Sequence, residues 1–324
     1  MKAVICPRYG PPDVLVIKEV PKPVPKKNEV MIKVKATSVT VADRRIRSFD
    51  VPRSYRIPAR LMLGIFKPRQ AILGVELAGE IESVGSEVKN FRPGEKVFCP
   101  TLRSMGGYAE YKCMKADGPL AYIPNALSFE EAATIPIGAG TALYYLKKVK
   151  NPVGKHIMIY GASGSVGTYA VQMAKSLGLE VTAVCSAGNF ELVKSLGADK
   201  TLDYRDQAFP GSLEMYDVIL VAIDKLDFSI CKDHIKPGGT FMNITRPFKS
   251  RDMKRAARTG IRVFVGESPP ETAAVMNELG KMVEEGMFKP VLDKTYPLEE
   301  IADAHRYVDT GRKRGNVAIS VSRE

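Results

Sequence analysis

Short apolar runs separated by turn residues dominate the first third of the chain. Residues 14–17, 29–35 and 79–85 have the length of β-strands, and Pro and Gly punctuate the sequence around them. From about residue 155 to 266, apolar strand-like runs alternate with stretches in which apolar residues recur at helical spacing. The pattern predicts an α/β protein with a β-rich first region and a doubly wound parallel sheet after it.

The alternating region predicts a regular series of elements. Residues 156–160 are short and apolar, like a buried parallel strand, and the segment that follows places apolar residues at helical spacing up to Gly178. The other predicted strands are 180–185, 200–203, 216–222, 240–244 and 262–265, the predicted helices are 190–196, 225–235 and 270–285, and the tail 316–321 is a strand that returns to the first region.

The segment 161–167, GASGSVG, lies between the first predicted strand and its helix. Strand, glycine turn and helix is the context in which a glycine pattern predicts dinucleotide binding. Gly164 lets the backbone approach a pyrophosphate, Gly167 lets the helix pack closely on the sheet, and the helix N-terminus attracts phosphate. Ala162 replaces the first glycine of the usual pattern, so a plain strand-to-helix turn is the alternative.

Composition bounds the class of protein. A chain of 324 residues favours two domains, and 45% apolar residues is ordinary for a globular protein. No apolar run reaches the roughly 18 residues of a membrane span, and the N-terminus reads as a strand and not as a signal peptide. The five cysteines are widely spaced without a C-x-x-C pair, which favours reduced thiols in a cytoplasmic protein and argues against a metal cluster.

The net charge of +12 is concentrated in two places. Eight basic residues against Asp50 give segment 44–69 a charge of +7, and a second cluster occupies 249–258. A solvated surface explains such clusters, and so does an anionic partner such as nucleic acid, a membrane or a phosphorylated ligand. The basic residues of the first cluster are Arg44, Arg45, Arg47, Arg53, Arg56, Arg60, Lys67 and Arg69.

Several segments together resemble one known family. They include GVELAGEI at 74–81, GGYAEY at 106–111, GTAL at 140–143, the glycine turn, LGAD at 196–199, KPGG at 236–239 and YPLEEI at 296–301. This series, nearly end to end, resembles the zinc-independent branch of the medium-chain dehydrogenase/reductase superfamily, the quinone oxidoreductase (zeta-crystallin-like) group. The resemblance implies a GroES-like β-rich domain at 1–118 completed by 287–324, a Rossmann doubly wound parallel-sheet domain at 119–286, an active site between them and a homodimer.

The same resemblance bears on zinc. In zinc-bearing relatives the three catalytic ligands fall where this chain has Thr40, Val75 and Ile137. Because none of these offers a thiolate or imidazole donor, we expect no metal. Without a Lewis acid, a quinone or an α,β-unsaturated carbonyl is an easier hydride acceptor than a simple ketone, since the negative charge delocalises.

The end of the second Rossmann strand predicts the cofactor. NAD-binding relatives place Asp or Glu there, whereas this chain has Ser186 and no carboxylate in 184–189. Ser186 can donate to a 2′-phosphate, Tyr204 resembles the residue that closes over the adenine-ribose phosphate, and Arg205 is a further charge partner. We therefore expect NADPH. A helix-capping Ser186 and a packing Tyr204 are the plainer alternatives.

The resemblance supplies further site residues. Thr141 would lie beside the nicotinamide, or cap a helix; Asp43 would lie near the pocket, or pair with a neighbouring arginine; Tyr55 is a candidate proton donor. With these three as catalytic candidates, the expected cofactor-binding residues are Ser163, Gly164, Ser165, Val166, Ser186, Tyr204, Ile223, Asn243, Thr245, Phe264 and Asn316.

The expected function is therefore an NADPH-dependent oxidoreductase that transfers hydride to a quinone or enone without zinc. A 2-enoyl-thioester reductase, whose arginines at 44–69 receive CoA or carrier-protein phosphates, is one alternative. A cofactor-bound protein that uses its basic clusters to bind nucleic acid or an anionic membrane is another.

Overall fold

The protein is described by a computed structural model that covers residues 1–51, 55–223, 225–245 and 250–321, without the side chains of residues 250, 251, 253 and 255. The chain forms two compact units. Unit 1 consists of Met1–Ile137, Glu271–Glu284 and Pro290–Glu324, and unit 2 consists of Gly138–Pro270 and Glu285–Lys289. The limits of these units differ from the domain boundaries expected at 118/119 and 286/287, which stay predictions.

Strands dominate the first third of the described chain, and strands and helices alternate after it. The strands are β1 (Lys2–Ile5), β2 (Val16–Glu19), β3 (Glu29–Ser38), β4 (Glu76–Val84), β5 (Lys96–Pro100), β6 (Tyr111–Lys115), β7 (Ala121–Tyr122), β8 (His156–Tyr160), β9 (Glu180–Cys185), β10 (Lys200–Asp203), β11 (Tyr216–Val221), β12 (Ile235–Asn243), β13 (Arg262–Val265), β14 (Leu292–Pro297) and β15 (Asn316–Ser320). The α-helices are α1 (Val41–Ser48), α2 (Arg56–Leu63), α3 (Phe129–Ala132), α4 (Ile135–Leu146), α5 (Ser165–Ser176), α6 (Phe190–Ser195), α7 (Phe228–Cys231), α8 (Ser250–Thr259), α9 (Ala273–Glu284) and α10 (Ile301–Asp309).

Unit 1 is built on a mostly antiparallel sheet in the order β14-β15-β3-β4-β5-β7, with β6 also paired to β3. Strand β15 pairs antiparallel with β3, so the predicted tail strand does return to the first region. Strands β1 and β2 form a separate antiparallel pair. Ile32, Leu77, Val97 and Ile319 are buried in one core, which means that residues far apart in the chain stabilise this unit together.

Unit 2 contains a six-stranded parallel sheet in the order β10-β9-β8-β11-β12-β13. Every residue of β8 is buried, as expected for a strand covered on both faces. The strand order reverses between β8 and β11, and in such sheets ligands bind beyond the carboxyl ends of the strands at that point. The predicted Rossmann architecture is confirmed.

Three predicted elements differ from the structure. The strand expected at 14–17 is a 3₁₀ turn at Pro12–Val14 followed by β2. The helix expected at 225–235 is the short α7 followed by a 3₁₀ turn at Lys232–His234, and Ile235 already pairs with Tyr216 as the first residue of β12. The helix expected at 270–285 begins at Ala273, after a pair of prolines that cannot continue a helix.

None of the described helices is both long enough and apolar enough to span a membrane. The five cysteines are free thiols, and Cys6, Cys99, Cys185 and Cys231 are buried. Burial raises the pKa of the Cys99 thiol to about 12, so this group is a poor nucleophile.

Candidate active site

The segment 161–167 forms the tight turn between β8 and α5. Gly161 has φ +84°, a left-handed conformation that favours glycine, and its carbonyl accepts the Gly164 N–H at 3.1 Å. Gly164 is the N-cap of α5 and, lacking a side chain, leaves the capping position open. The first turn of α5, with Ser165 and Val166, presents the positive end of a 12-residue helix, which is where a phosphate binds.

The three glycines of this turn have different steric roles. A Cβ on Gly167 would lie 2.7 Å from the Ala162 backbone and would collide with the Gly161 carbonyl oxygen. Gly167 therefore packs against the turn itself, and not mainly against the sheet as the sequence suggested. A Cβ on Gly164 would make only an ordinary contact, 3.4 Å from that oxygen. Packing within the chain does not require glycine at 164, whereas close approach of a pyrophosphate does, so the turn fits a dinucleotide.

Asn189 joins the two serines expected at the cofactor. Its Nδ2 donates to Ser163 Oγ at 3.0 Å and to Ser186 Oγ at 3.2 Å. Ser186 is the N-cap residue of the 3₁₀ turn Ala187–Asn189, but its side chain makes no capping hydrogen bond. The helix-capping alternative therefore holds for its position and not for its hydroxyl. The sequence analysis missed Asn189, because its link to Ser163 spans 26 residues and depends on the sheet order.

A carboxylate does lie beside the end of β9, but it comes from the neighbouring strand. Asp203 ends β10 in register with Cys185 and accepts the Ala187 N–H at 2.9 Å. Arg205 binds both oxygens of this carboxylate, Nε at 3.1 Å and the terminal nitrogen at 2.8 Å. These bonds lower the pKa of Asp203. Arg205 is thus committed to Asp203 and is not the independent charge partner that the sequence suggested.

Tyr204 stands between these two residues in the chain and is exposed. Its ring lies 6.0 Å from that of Tyr160, the last residue of β8, with an interplanar angle of 57°. Tyr160 also contacts Phe209. The packing alternative for Tyr204 therefore has direct support, and its expected contact with the cofactor stays a prediction.

The carboxyl ends of β8, β11, β12 and β13 are aligned by register. Val221 is opposite Tyr160 on one side and Asn243 on the other, and Asn243 is opposite Val265. Ile223 follows β11 and reaches back over the glycine turn, since a Cβ on Gly161 would lie 2.8 Å from its Cγ2. The structure thus brings Ile223 and the end of β12 to the edge that carries the glycine turn.

Asn243 and Thr245 form a local pair at that edge. The Asn243 Oδ1 accepts from the Thr245 N–H at 2.9 Å and from its hydroxyl at 3.0 Å. The remaining basic cluster follows this segment: Lys249 and the side chains of Arg251 and Arg255 lie outside the described residues, while Lys254 and Arg258 are on α8.

The segment after β13 is anchored to α4, the helix that carries Thr141. The Glu267 N–H donates to the Tyr145 hydroxyl at 3.0 Å, and Tyr144 donates to the Glu267 carboxylate at 2.7 Å. Lys148 pairs with the same carboxylate at 2.9 Å and lies 4.6 Å from the centre of the Phe264 ring. Phe264 is therefore held by a cation contact that the sequence pattern did not indicate.

In unit 1, Asp43 is fully buried in the first turn of α1. It forms a capping box with Thr40, the N-cap residue of that helix. The Asp43 Oδ2 accepts from the Thr40 N–H at 3.0 Å and from its hydroxyl at 2.6 Å, and Oδ1 accepts the Gly74 N–H at 3.2 Å. Burial raises the pKa of Asp43 to about 6, against the effect of these bonds. No arginine is among its hydrogen-bond partners in the described residues, so the suggested arginine pairing is wrong.

Glu76 is the second buried acid of unit 1, and the sequence analysis did not single it out. Its Oε1 accepts a short hydrogen bond from Ser38, and its Oε2 accepts the Ile137 N–H at 2.8 Å. Burial raises the pKa of Glu76 to about 8, and the charge of Asp43 adds to that rise. The nearby Lys313 ammonium works in the opposite direction, and burial in turn lowers the pKa of Lys313 to about 8.

Three further polar side chains of unit 1, Arg47, Tyr108 and His305, are buried and interact with one another. Arg47 binds both oxygens of Asp309 at 2.8 and 2.7 Å, which explains one arginine of the basic segment. The rings of Tyr108 and His305 meet edge to face at 5.7 Å. Burial and the Arg47 charge lower the pKa of His305 to about 3, so its imidazole is neutral. Among the described residues, Arg47 Nε and both ring nitrogens of His305 are buried without a hydrogen-bond partner.

The remaining expected residues lie apart within unit 1. Tyr55 immediately precedes α2 and is half exposed. Asn316 is buried in β15, where its Nδ2 donates to the Val291 carbonyl at 3.1 Å. Neither the exposure of Tyr55 nor the hydrogen bond of Asn316 assigns a catalytic or cofactor role, so the roles of both residues stay predictions.

The positions that hold zinc ligands in relatives have structural roles here. Thr40 caps α1, Val75 is fully buried, and the Ile137 N–H binds Glu76. Among residues 1–51, 55–223, 225–245 and 250–321, no three His, Cys, Asp or Glu side chains are grouped as a metal site. The two buried acids therefore make their contacts with exactly the segments where other members of the superfamily carry metal ligands.

Comparison with known proteins gives a consistent result. Sequence models described as "Alcohol dehydrogenase GroES-like domain" and "Zinc-binding dehydrogenase" match residues 26–125 and 196–319. The chain is 30% identical to the chloroplast envelope quinone oxidoreductase homolog of Arabidopsis thaliana, over 93% of this chain and 92% of the relative. It is 29% identical to the NADPH-dependent alkenal/one oxidoreductase of the same plant, over 98% and 79%.

A solved structure supports the same assignment. The quinone oxidoreductase of Coxiella burnetii superposes with a TM-score of 0.87 at 27% identity, and the match covers 99% of both chains. The name of the second sequence model refers to zinc, but the ligand positions of zinc-bearing relatives hold Thr40, Val75 and Ile137 in this chain. The chain therefore belongs to the zinc-independent quinone oxidoreductase family of the medium-chain dehydrogenase/reductase superfamily.

Proposed function

We propose that this member of an oxidoreductase family reduces quinones or α,β-unsaturated carbonyls with NADPH. The observation that carries the proposal is the glycine turn, in which Gly164 leaves room that the chain's own packing does not need. The names of two relatives, a quinone oxidoreductase homolog and an NADPH-dependent alkenal/one oxidoreductase, support the same substrate classes.

The cofactor would lie along the carboxyl edge of the unit 2 sheet. Residues Ser163–Val166 would bind the pyrophosphate, with Ser163 oriented by Asn189. Ile223, Asn243, Thr245 and Phe264 would contact the nicotinamide half, and Asn316 and Thr141 would complete its surroundings. When bound, the nicotinamide supplies the hydride; the residues named here bind and orient it.

The preference for NADPH over NADH rests on charge at the end of β9. Ser186 offers a hydroxyl where NAD-specific relatives offer a carboxylate. Asp203 is close by, but its charge is compensated by Arg205 and its Oδ2 is occupied by the Ala187 N–H. A 2′-phosphate would therefore meet donors from Ser186 and Tyr204 with little net repulsion.

The proposed class of hydride acceptor follows from the side chains at three positions of unit 1. Thr40, Val75 and Ile137 present no metal-binding side chain, so an acceptor whose negative charge is delocalised is favoured. Enone reduction still needs a proton, and Tyr55 and Asp43 are the proposed sources or relays. The raised pKa of Asp43, about 6, is compatible with a group that exchanges protons near neutrality.

The test is a rate measurement with purified protein. NADPH oxidation is followed with a quinone panel, an enone panel and enoyl thioesters, and NADH is run in parallel. We expect turnover with NADPH on at least one quinone or enone, and loss of that turnover in Ser163→Asp, which places a negative charge beside the pyrophosphate. Inactivity of the wild-type enzyme on both panels would refute the proposal, and turnover of enoyl thioesters alone would favour the alternative.

A further inference from the structure

Helix α2 and the loop after it expose several large apolar side chains to solvent. Ala59 is buried and Leu63 packs on the unit 1 core, which defines the inward face of the helix. On the other side and in the loop, large apolar side chains are 63–88% exposed, namely Ile57, Leu61, Met62 and Phe66. An ordinary surface helix shows the reverse arrangement, with its polar face toward water. A patch of exposed apolar side chains on one helix and the loop after it is typical of an interaction surface.

The backbone holds this patch in place. Gly64 ends α2 with φ +122°, and a Cβ there would lie 2.9 Å from the Arg69 nitrogen, so only glycine fits the bend. The Tyr9 hydroxyl donates to the Gly64 carbonyl at 2.8 Å. Arg69 closes the loop, because its N–H binds the Leu63 carbonyl at 2.6 Å and its guanidinium binds the Leu61 carbonyl at 2.9 Å. The exposure of Phe66 is thus a consequence of a hydrogen-bonded loop.

The described residues 55–75, which carry the patch, contain four basic residues and no Asp or Glu. The four are Arg56, Arg60, Lys67 and Arg69. Arg56 and Arg60 line a cavity of about 290 Å³ beside the helix, together with Ser48 and the Phe49 ring. The Arg60 guanidinium lies 3.9 Å from the centre of that ring, which holds it at the cavity wall. In α1, by contrast, Arg44 and Arg47 are paired with aspartates.

We propose that this surface binds an anionic phospholipid membrane. The side chains of Ile57, Leu61 and Phe66 enter the boundary between headgroups and acyl chains, while the basic cavity and Lys67 face the phosphates. A second copy of the chain is a poor occupant, because joining two such faces brings the four basic residues of 55–75 against the same four, and this segment contains no acid. The proposal goes beyond the reductase activity and does not depend on it.

Flotation with vesicles tests the proposal in the absence of cofactor and substrate. We expect the protein to float with phosphatidylcholine vesicles that contain phosphatidylserine, to stay in solution with phosphatidylcholine alone, and to dissociate as salt is added. Leu61→Asp combined with Phe66→Asp should reduce binding at least tenfold, by a rough estimate from lost burial and added repulsion. Arg56→Gln should reduce it about fivefold.

The control is Val24→Asp, which adds one of the two negative charges of the double variant at an apolar residue of unit 1 that is 83% exposed. Val24→Asp should float like the wild type, and circular dichroism should show that all variants are folded. The proposal is wrong if wild-type protein leaves the vesicles unbound, or if Val24→Asp reduces binding as much as the double variant. A dimer in solution that Phe66→Asp dissociates, without vesicle binding, would assign the surface to a second copy. Because flotation involves no turnover, either result leaves the proposed reductase activity to its own assay.

Discussion

The glycine turn of unit 2 and the buried acids of unit 1 are built in opposite ways. The turn is assembled within seven consecutive residues, and its shape depends on backbone conformation and on the absence of side chains at Gly161 and Gly167. The acids Asp43 and Glu76 depend on partners from distant segments, such as Gly74 and Ile137, and on exclusion of water. A defect in the turn should therefore be steric and independent of pH, whereas a defect at the acids should depend on pH.

The largest effect is expected from Gly167→Ala. The new Cβ would collide with the Gly161 carbonyl and the Ala162 backbone, which cannot move without displacing the turn from β8. We expect a loss of about 3 kcal/mol of unfolding free energy, equal at pH 6 and pH 8, from urea titrations.

Two alanine variants separate this effect from cofactor binding. Gly211→Ala, where a Cβ meets nothing within 4 Å, should retain wild-type stability. Gly164→Ala should also stay folded but lose cofactor affinity, since its Cβ occupies space beside the phosphate site. Equal stability of the Gly167 and Gly211 variants would contradict the steric account.

The next largest effect is expected from Glu76→Gln, which changes how the free energy of unfolding depends on pH. The folded protein holds a proton on Glu76 up to a pKa of about 8, whereas the unfolded chain releases it near 4.5. Between these values the folded state binds more protons, so the stability of the wild type falls as pH rises. Glu76→Gln removes this dependence, and we expect the variant to gain on the order of 3 kcal/mol relative to the wild type between pH 5 and pH 8.

Urea titrations at pH 5 and pH 8 measure this change in the free energy of unfolding. Glu191→Gln, at a solvent-exposed carboxylate on α6, is the control and should follow the wild type at both. Parallel curves for wild type and Glu76→Gln would mean that the Glu76 carboxylate titrates near its ordinary pKa. In that case the contrast between a steric turn and an electrostatic acid pair would fail.

The same contrast explains what sequence could predict. The turn, the alternation of strands and helices in unit 2 and the family were all accessible, because each depends on local spacing or on segments that keep their order. The link from Asn189 to Ser163 and the bonds from Ser38 and Ile137 to Glu76 were not, because they join residues 26 to 61 positions apart through the sheets. The role of Asp203 was not predicted for the same reason. This acid belongs to β10, and only the pairing of β10 with β9 brings it beside the end of β9.

A smaller effect is expected from Ser186→Asp. A carboxylate at the end of β9 would accept hydrogen bonds from a ribose 2′-hydroxyl and repel a 2′-phosphate. We expect the ratio of kcat/KM for NADPH to that for NADH to fall on the order of thirtyfold, or about 2 kcal/mol. Ser195→Asp adds the same charge at an exposed position at the end of α6 and should leave the ratio unchanged. An unchanged ratio in Ser186→Asp would remove the basis for the NADPH preference.

Asp203→Asn should give the smallest change in cofactor KM. This variant tests whether the Asp203–Arg205 pair acts through its charge or by positioning the turn at 187–189. If the pair only neutralises a carboxylate near the 2′-position, then removing that charge frees Arg205 while an amide oxygen still accepts the Ala187 N–H. The KM for NADPH should then fall about threefold and that for NADH should change less, because exposed charges are screened by water and salt. The difference should shrink as ionic strength rises. A higher KM for both cofactors would instead mean that Asp203 serves to position the 187–189 turn, so that geometry and not charge governs this edge of unit 2.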